Sequence, residues 1–445
     1  MAVESCTGSG VIIETSDKKL RILTAAHVVC DSTFLQCQRV GVENPDKCPA
    51  RVYAVCHDCD LALLEVDVGA DDEFWSDVDP APLVDIPALR SVVLIAGFPV
   101  GGDELSVTSG IVSRIEGQPY SQSRRTLLAV TVDAAINAGN SGGPAFNDGG
   151  GLVGIAFQSM TNAENTGHVV PPPVIEHFLR GVAASGPEGY GGFPDDGFRA
   201  QELSNPHLRR HYGLDDSVRG VLITDVLYGN TCHGVLEKND ILTHIAGRQV
   251  ANNGTLAYGT FGTRLDHGIA FTLLQCGESI ELDVVRAGTK QKLTATAKPF
   301  VRLVPLPEYD KKPRYFIYCG LVFQPLSHNY ADTFDCFPRQ LTAMYDRQSA
   351  DKLECVVLTS TLSDRVNVGY ETITQAPIDS VDGTKVRDLR HLVELIEAAT
   401  EPLLRITTKG EQHVIILPSK KDPKTVLANE RILSRYKIAR DRWLD

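Results

Sequence analysis

Short apolar runs, each closed by a cluster of turn residues, fill the first part of this chain. Val11-Ile12-Ile13 and Arg21-Ile22-Leu23 flank the polar turn Ser16-Asp17-Lys18-Lys19. Leu61 to Val66, Val92 to Ala96, Leu127 to Val132 and Leu152 to Phe157 follow. Runs of this length and spacing predict an all-β barrel pair. Pro171 to Gly181 predicts a helix, with prolines at its start and Val174, Ile175, Phe178 and Leu179 on one face. Ser185 to Gly197, rich in glycine, proline and acid, reads as a linker. A second module then shows strands at Gly220 to Val226, Ile280 to Ala287 and Lys292 to Ala297, with a turn and hairpin over Leu236 to Gly247. A third, from Leu303 to Pro418, matches its strand-and-hairpin positions at Cys355 to Thr359 and Ile378 to Gly383. Leu389 to Ala399 supplies an amphipathic helix, and Leu403 to Thr407 and His413 to Leu417 close the sheet. Thr425 to Trp443 predicts a terminal helix. The pattern divides the chain into 1–184, 198–300, 303–420 and a helical extension over 421–445.

Chemistry sits at the edges of the first strands. Thr24-Ala25-Ala26-His27, then Asp60-Leu61-Ala62-Leu63-Leu64, then Gly139-Asn140-Ser141-Gly142-Gly143-Pro144 supply, in chain order, a base, an acid and a nucleophile. A serine hydroxyl needs an imidazole to take its proton and a carboxylate to hold that imidazole in the right tautomer. His, Asp, Ser is the chymotrypsin order. Asp58 competes with Asp60 for the acid's place; Asp60 is preferred because it abuts the apolar run. The N–H groups of Gly139 and Ser141 are candidates for an oxyanion hole, with the missing Cβ at 139 letting the turn form and the substrate carbonyl approach. Each residue alone has a plain structural reading; three in this order at strand edges point to acyl transfer.

Gly8-Ser9-Gly10-Val11-Ile12-Ile13, Thr24 to Val29, Asp60 to Leu64 and Ala138 to Pro144 resemble the HtrA/Deg family of serine proteases. Gly97 to Gly102 and Ser106 to Arg114 look like its plant and algal organellar branch. The resemblance implies a mainly β fold, a trypsin-like double β-barrel protease domain followed by two PDZ-like α+β domains, the second divergent. It implies that His27, Asp60 and Ser141 are the catalytic triad. It also implies unfolded or damaged proteins as substrates, a trimer-based homo-oligomer, and a plastid, a mitochondrion or the nucleus as location. In trypsin-like folds the residue six before the nucleophile often floors the specificity pocket. Here that is Ala135, followed by Ile136, so small or medium apolar residues are the expected preference. Phe157, Gln158, Ser159 and His168 are expected to complete the pocket walls. The polar segment Glu116 to Thr126 is a candidate relay between the PDZ-like modules and the oxyanion turn. The usual Gly-Leu-Gly-Phe loop of PDZ domains is absent, Ser217 to Leu222 being the nearest stretch, which leaves capture of a terminal carboxylate in doubt.

Composition narrows the picture. The chain has 445 residues, 43% hydrophobic and 22% charged, enough for two to four ordinary globular domains. A net charge of −13 with no basic stripe argues against nucleic acid as a partner. No apolar run reaches the ~18 residues of a membrane span. No Gly-x-x-x-x-Gly-Lys motif is present, so no nucleotide cofactor and no intrinsic ATP use are expected. Eleven cysteines cannot all pair within one chain. Cys56-His57-Asp58-Cys59 with Cys37 and Cys48 makes a zinc site conceivable, but no second CxxC completes it, and buried thiols with no metal are the expectation. A Cys30–Cys37 disulfide is open only in an oxidising compartment. Met1 to Thr7 shows no targeting segment. The function these features favour is an ATP-independent serine endopeptidase; the alternative is a PDZ scaffold or holdase with an idle triad.

Overall fold

A computed structural model describes residues 6–14, 20–39, 47–66, 78–99, 104–137, 139–159, 166–259, 263–336, 338, 341 and 347–445. The fold is mostly β. It splits into two units, residues 1–226 with 230–300, and 227–229 with 301–445.

The first unit opens with β1 (Gly10–Glu14), β2 (Leu20–Ala25), the one-turn helix α1 (Ala26–Val29), β3 (Leu35–Gln38), β4 (Lys47–Cys56) and β5 (Leu61–Val66). These five strands form an antiparallel sheet in the order β1-β2-β5-β4-β3. Strand β5 is central and buried on both faces, which is why it reads as a continuous apolar run rather than an alternation. Then β6 (Val92–Gly97), β7 (Ser106–Pro119), β8 (Thr126–Val132), β9 (Pro144–Phe146), β10 (Leu152–Ser159) and β11 (Gly167–Val170) close into a barrel in the order β10-β11-β8-β7-β6-β9. Closure leaves this sheet without free edges. One core runs through both sheets: Leu23, Leu61 and Leu63 pack in a cluster with Leu127, Ile155 and Phe157.

Helix α2 (Pro172–Ser185) follows where the prolines predict it, with Val174, Ile175, Phe178 and Val182 buried. The segment after it differs from a free linker. Phe193 is buried and stacked on His177 at 4.0 Å, and Tyr190 packs edge-on to Phe178. Aromatics within a glycine- and proline-rich string have anchored it to α2.

The next module is a sheet that starts with β12 (Phe198–Glu202) at one edge, followed by Val221–Val226, Ile241–Ile245, Ser279–Arg286 and Thr289–Thr296. Its core holds Phe198, Ile223, Leu242, Phe271 and Leu282. The turn leading into the edge strand is Asp195 to Gly197, where Gly197 adopts φ +70°. Ser217 to Leu222, the stretch nearest in sequence to a PDZ loop, leads instead into the interior strand Val221–Val226.

The second unit has strands Tyr315–Tyr318, Leu321–Pro325, Val356–Thr361, Ala376–Val381, Leu403–Thr408 and Val414–Pro418, covered by the helix Leu389–Ala398. Asp388 caps that helix by accepting the His391 N–H at 2.7 Å. The helix expected over Thr425 to Trp443 occupies Pro423–Arg435 only. Arg442–Trp443 turns back as a strand paired with Tyr315 and Phe316. Trp443 and the buried-side Leu444 reward sheet pairing over further helix.

Candidate active site

Sheet pairing sets Ala25 opposite Leu61, so α1 begins beside the residue that precedes β5. That residue, Asp60, closes the 3-10 turn His57–Cys59 in a left-handed conformation, φ +54°. Its carboxylate is fully buried and spends both oxygens on one neighbour. Oδ1 accepts the His27 backbone N–H at 2.8 Å, and Oδ2 lies 2.7 Å from His27 Nδ1. The Ala26 N–H donates to the Asp60 carbonyl at 3.0 Å. Backbone and side chain together fix the imidazole, leaving its other nitrogen for chemistry. Burial disfavours the charged ring, yet the hydrogen bond and charge of Asp60 outweigh it and hold the His27 pKa above the ordinary 6.5.

Asp58, the competing acid, lies elsewhere. Its Oδ2 accepts Arg125 Nη1 at 2.8 Å and the Phe193 N–H at 3.2 Å.

Ser141 sits in a turn between β8 and β9 whose backbone is held from several sides. The Gly142 N–H donates to Ala156 O at 2.7 Å, the Gly143 N–H to Asn140 O at 2.9 Å, and the Ala156 N–H to Gly143 O at 2.9 Å. Gly139 adopts φ +97° and Gly142 φ +82°, conformations that favour glycine. At 142 space is also decisive: a Cβ there would fall 2.2 Å from Thr24 Oγ1 and 2.8 Å from the Ala25 nitrogen. The Ser141 turn therefore rests directly on the residues that lead into α1 and His27. Among the described residues, no acceptor is bonded to the N–H of Gly139 or of Ser141.

The expected pocket residues divide. Ile136 is buried with Val153, Ala156 and Val169, and Gly167 makes room for it, since a Cβ at 167 would lie 2.6 Å from Ile136 Cδ1. Ala135 is half-buried beside it. Asp133, the nearest preceding acid, is turned to the Ile111 N–H. Along β11, Gly167 and Val169 face Ile136, so His168 and Val170 point the other way. His168 is buried there, its Nδ1 3.2 Å from Thr131 Oγ1, with burial pushing its pKa below the usual value. Phe157 stacks on Tyr120 at 4.3 Å on that same side. Phe157 and His168 thus lie on the opposite face of the sheet from Ile136. Gln158 bridges to the β7–β8 turn, its Oε1 accepting the Ser121 N–H at 2.9 Å. Ser159 ends β10 opposite Gly167, and its side chain lies outside the described residues. No disulfide joins any pair of cysteines among the described residues.

Two further residues matter here that sequence reasoning did not single out. Ser9 contacts the nucleophile turn, and Arg125 ties the acid-bearing turn to the segment after α2. The glycines around Ser9 were an available signal; Arg125, beside Arg124 in a polar segment, offered none.

Known proteins place this architecture. A trypsin-like peptidase domain model matches residues 8–155, and a PDZ domain model matches 304–445. "Protease Do-like 4, mitochondrial" of Arabidopsis thaliana is 37% identical over 409 residues, 92% of this chain and 75% of the relative. The chain belongs to the Do-like (Deg/HtrA) serine protease family. "Protease Do-like 2, chloroplastic" from the same plant is 34% identical over 99% of this chain and 70% of its own length. A solved structure, "HtrA-type protease AlgWS227A with decapeptide", shares the fold with a TM-score of 0.51 at 21% identity, over 68% of this chain and 85% of its own. This Do-like protease is therefore a mainly β serine protease with a PDZ domain, as its motifs led one to expect. Among its described residues no helix is long and apolar enough to cross a membrane.

Proposed function

We propose that this protease cleaves unfolded or damaged proteins without ATP, through an acyl-enzyme on Ser141. Ser141 Oγ attacks the scissile carbonyl while His27 Nε2 takes its proton. Asp60 holds the imidazole tautomer and balances the imidazolium that forms. The N–H groups of Gly139 and Ser141 receive the oxyanion. His27 then returns the proton to the leaving amine, and water repeats the sequence to free the enzyme. The observation that carries this reading is the buried Asp60 carboxylate bound to both the ring and the backbone of His27, beside the turn that presents Ser141. A fluorophosphonate probe is expected to label the purified protein, with the adduct mapped to Ser141 by mass spectrometry. No label at 141 in a folded sample counts against the reading.

The titration of His27 gives a second expectation. Catalysis needs its neutral form. A raised pKa enlarges the protonated fraction at any acid pH, so kcat/KM should climb through a midpoint above 6.5 and level off on the alkaline side. A profile from about pH 5 to 9 checks this; a midpoint below 6.5 contradicts it.

The apolar wall of Ile136 and Val169, with Asp133 turned away, supports cleavage after Val, Ala or Leu. A peptide-library digest dominated by cuts after Lys or Arg rejects that preference.

The sheet after α2 serves in this reading as a first PDZ-like module, with substrate strands adding beside β12. Its entry turn does not suit a terminal carboxylate. The Gly197 N–H already donates to Asp195 Oδ1 at 3.0 Å, and Asp196 adds a second acid. Internal segments are the better fit. The names of the plant relatives favour a mitochondrion or plastid as location, and family likeness favours a trimer-based homo-oligomer, which light scattering on the labelled sample measures.

A further inference from the structure

We infer that Ser9 is a positioning residue for the oxyanion turn, pinning it to the strand that leads into His27. This rests on the reading of Ser141 as nucleophile and deepens it.

Ser9 is buried just before β1, in the first sheet, yet its polar atoms serve the turn of the second barrel. Its hydroxyl donates to the Gly139 carbonyl at 2.7 Å and accepts the Phe98 N–H at 2.9 Å. Its backbone N–H donates to the Ser141 carbonyl at 2.9 Å. Its own carbonyl accepts the Thr24 hydroxyl at 2.7 Å, three residues ahead of His27. One residue thus holds the carbonyls on both sides of Asn140 and is itself held by the strand leading to the base.

The turn needs such a pin. It carries glycines at positive φ at 139 and 142, and the buried Asn140 Oδ1 has no partner among the described residues. An unsatisfied buried acceptor is costly, so a relaxed arrangement that satisfies it competes with the one observed. Reorientation of the peptides at 139 or 141 would turn away the N–H groups meant for the oxyanion. Fixing Gly139 O and Ser141 O fixes the peptide planes that follow each residue and restrains the ones before. The neighbours leave Ser9 little freedom: Cβ positions built at Gly97 and Gly143 come within 2.9 Å of Ser9 Oγ and 3.2 Å of Ser9 Cβ. The hydroxyl is held where the Gly139 carbonyl can meet it.

The test uses the full chain, a fluorogenic casein-derived peptide and a peptidyl boronic acid ending in boro-valine, whose tetrahedral adduct needs the oxyanion donors. Ser9→Ala is expected to lower kcat by roughly 10- to 100-fold, the scale of a small misplacement at a reacting centre, with KM within about 3-fold. Boronate affinity should fall by a similar factor, while the acid limb set by His27 stays in place. A purely structural role would not split kcat from KM, nor spare that limb. Thr24→Val, which frees the Ser9 carbonyl, should move the same quantities in the same direction by less. It carries the test if Ser9→Ala does not fold. Wild-type kcat and boronate affinity in the folded variants overturn the role of Ser9. A wild type that neither hydrolyses the peptide nor binds the boronate fails earlier, at the reading of the site itself.

Discussion

Ser141→Ala is expected to end casein digestion, with kcat down by about 10^6-fold, the scale of nucleophile removal in a well-studied serine protease. The reason is the division of labour. In the proposed mechanism His27 and Asp60 act only through the serine hydroxyl, so removing it disables all three together. Asp60→Asn should cost about 10^4-fold while the serine remains, because an amide no longer enforces the tautomer whose Nε2 accepts the serine proton. The structure makes that change sharp: Asp60 Oδ1 and Oδ2 serve the backbone and ring of the same histidine, so the amide NH2 would face one donor or the other. The two variants together separate the enzyme from a contaminating protease, which neither substitution would touch. Casein cleavage at the wild-type rate by folded Ser141→Ala would assign the activity to another residue or another protein.

Much of this site was legible because its parts lie at strand ends with strong local signatures. Small residues before His27, an apolar run after Asp60 and glycines around Ser141 each mark a backbone demand. The choice of Asp60 over Asp58 followed from burial, and the structure gives the two acids different partners, His27 and Arg125. Which face of β11 meets Ile136 was not legible, because the packing partner and not the local sequence sets it. Long-range contacts were hidden altogether. The Ser9 hydroxyl meets a carbonyl 130 positions away, and nothing in Gly8-Ser9-Gly10 names that partner. The terminal strand was lost for a similar reason: Arg442–Trp443 is too short to register as a strand until Tyr315 and Phe316 pair with it. The segment between α2 and β12 read as a linker on composition, whereas Tyr190, Phe193 and the distant Arg125 give it its contacts.

That segment is where the second large effect is expected. Arg125→Ala should release residues 185–197 from the protease domain and raise cleavage by chymotrypsin after Tyr190 by about 100-fold, in a Ser141→Ala background that cannot digest itself. The Arg125 side chain is 4% exposed. Its Nη1 donates to Asp58 Oδ2 at 2.8 Å and to Phe193 O at 2.5 Å, its Nη2 to Pro194 O at 2.9 Å, and Asp195 lies 3.7 Å away. Its guanidinium also covers the Phe300 ring at 4.7 Å. Breaking a buried ion pair costs about 3–5 kcal/mol, and the lower end applies because Asp58 is a third exposed. Lysine should rescue poorly: a single ammonium cannot reach two carbonyls and a carboxylate in the fork that arginine presents. The consequence reaches catalysis through Asp58, which lies two residues before Asp60 and whose carbonyl is also held by Ser123 Oγ at 2.8 Å. Loosening this turn lets the Asp60 carboxylate drift from His27, so kcat should fall with the loss of protection. Unchanged protection in Arg125→Ala would mean that the aromatic contacts of Tyr190 and Phe193 with α2 hold the segment by themselves.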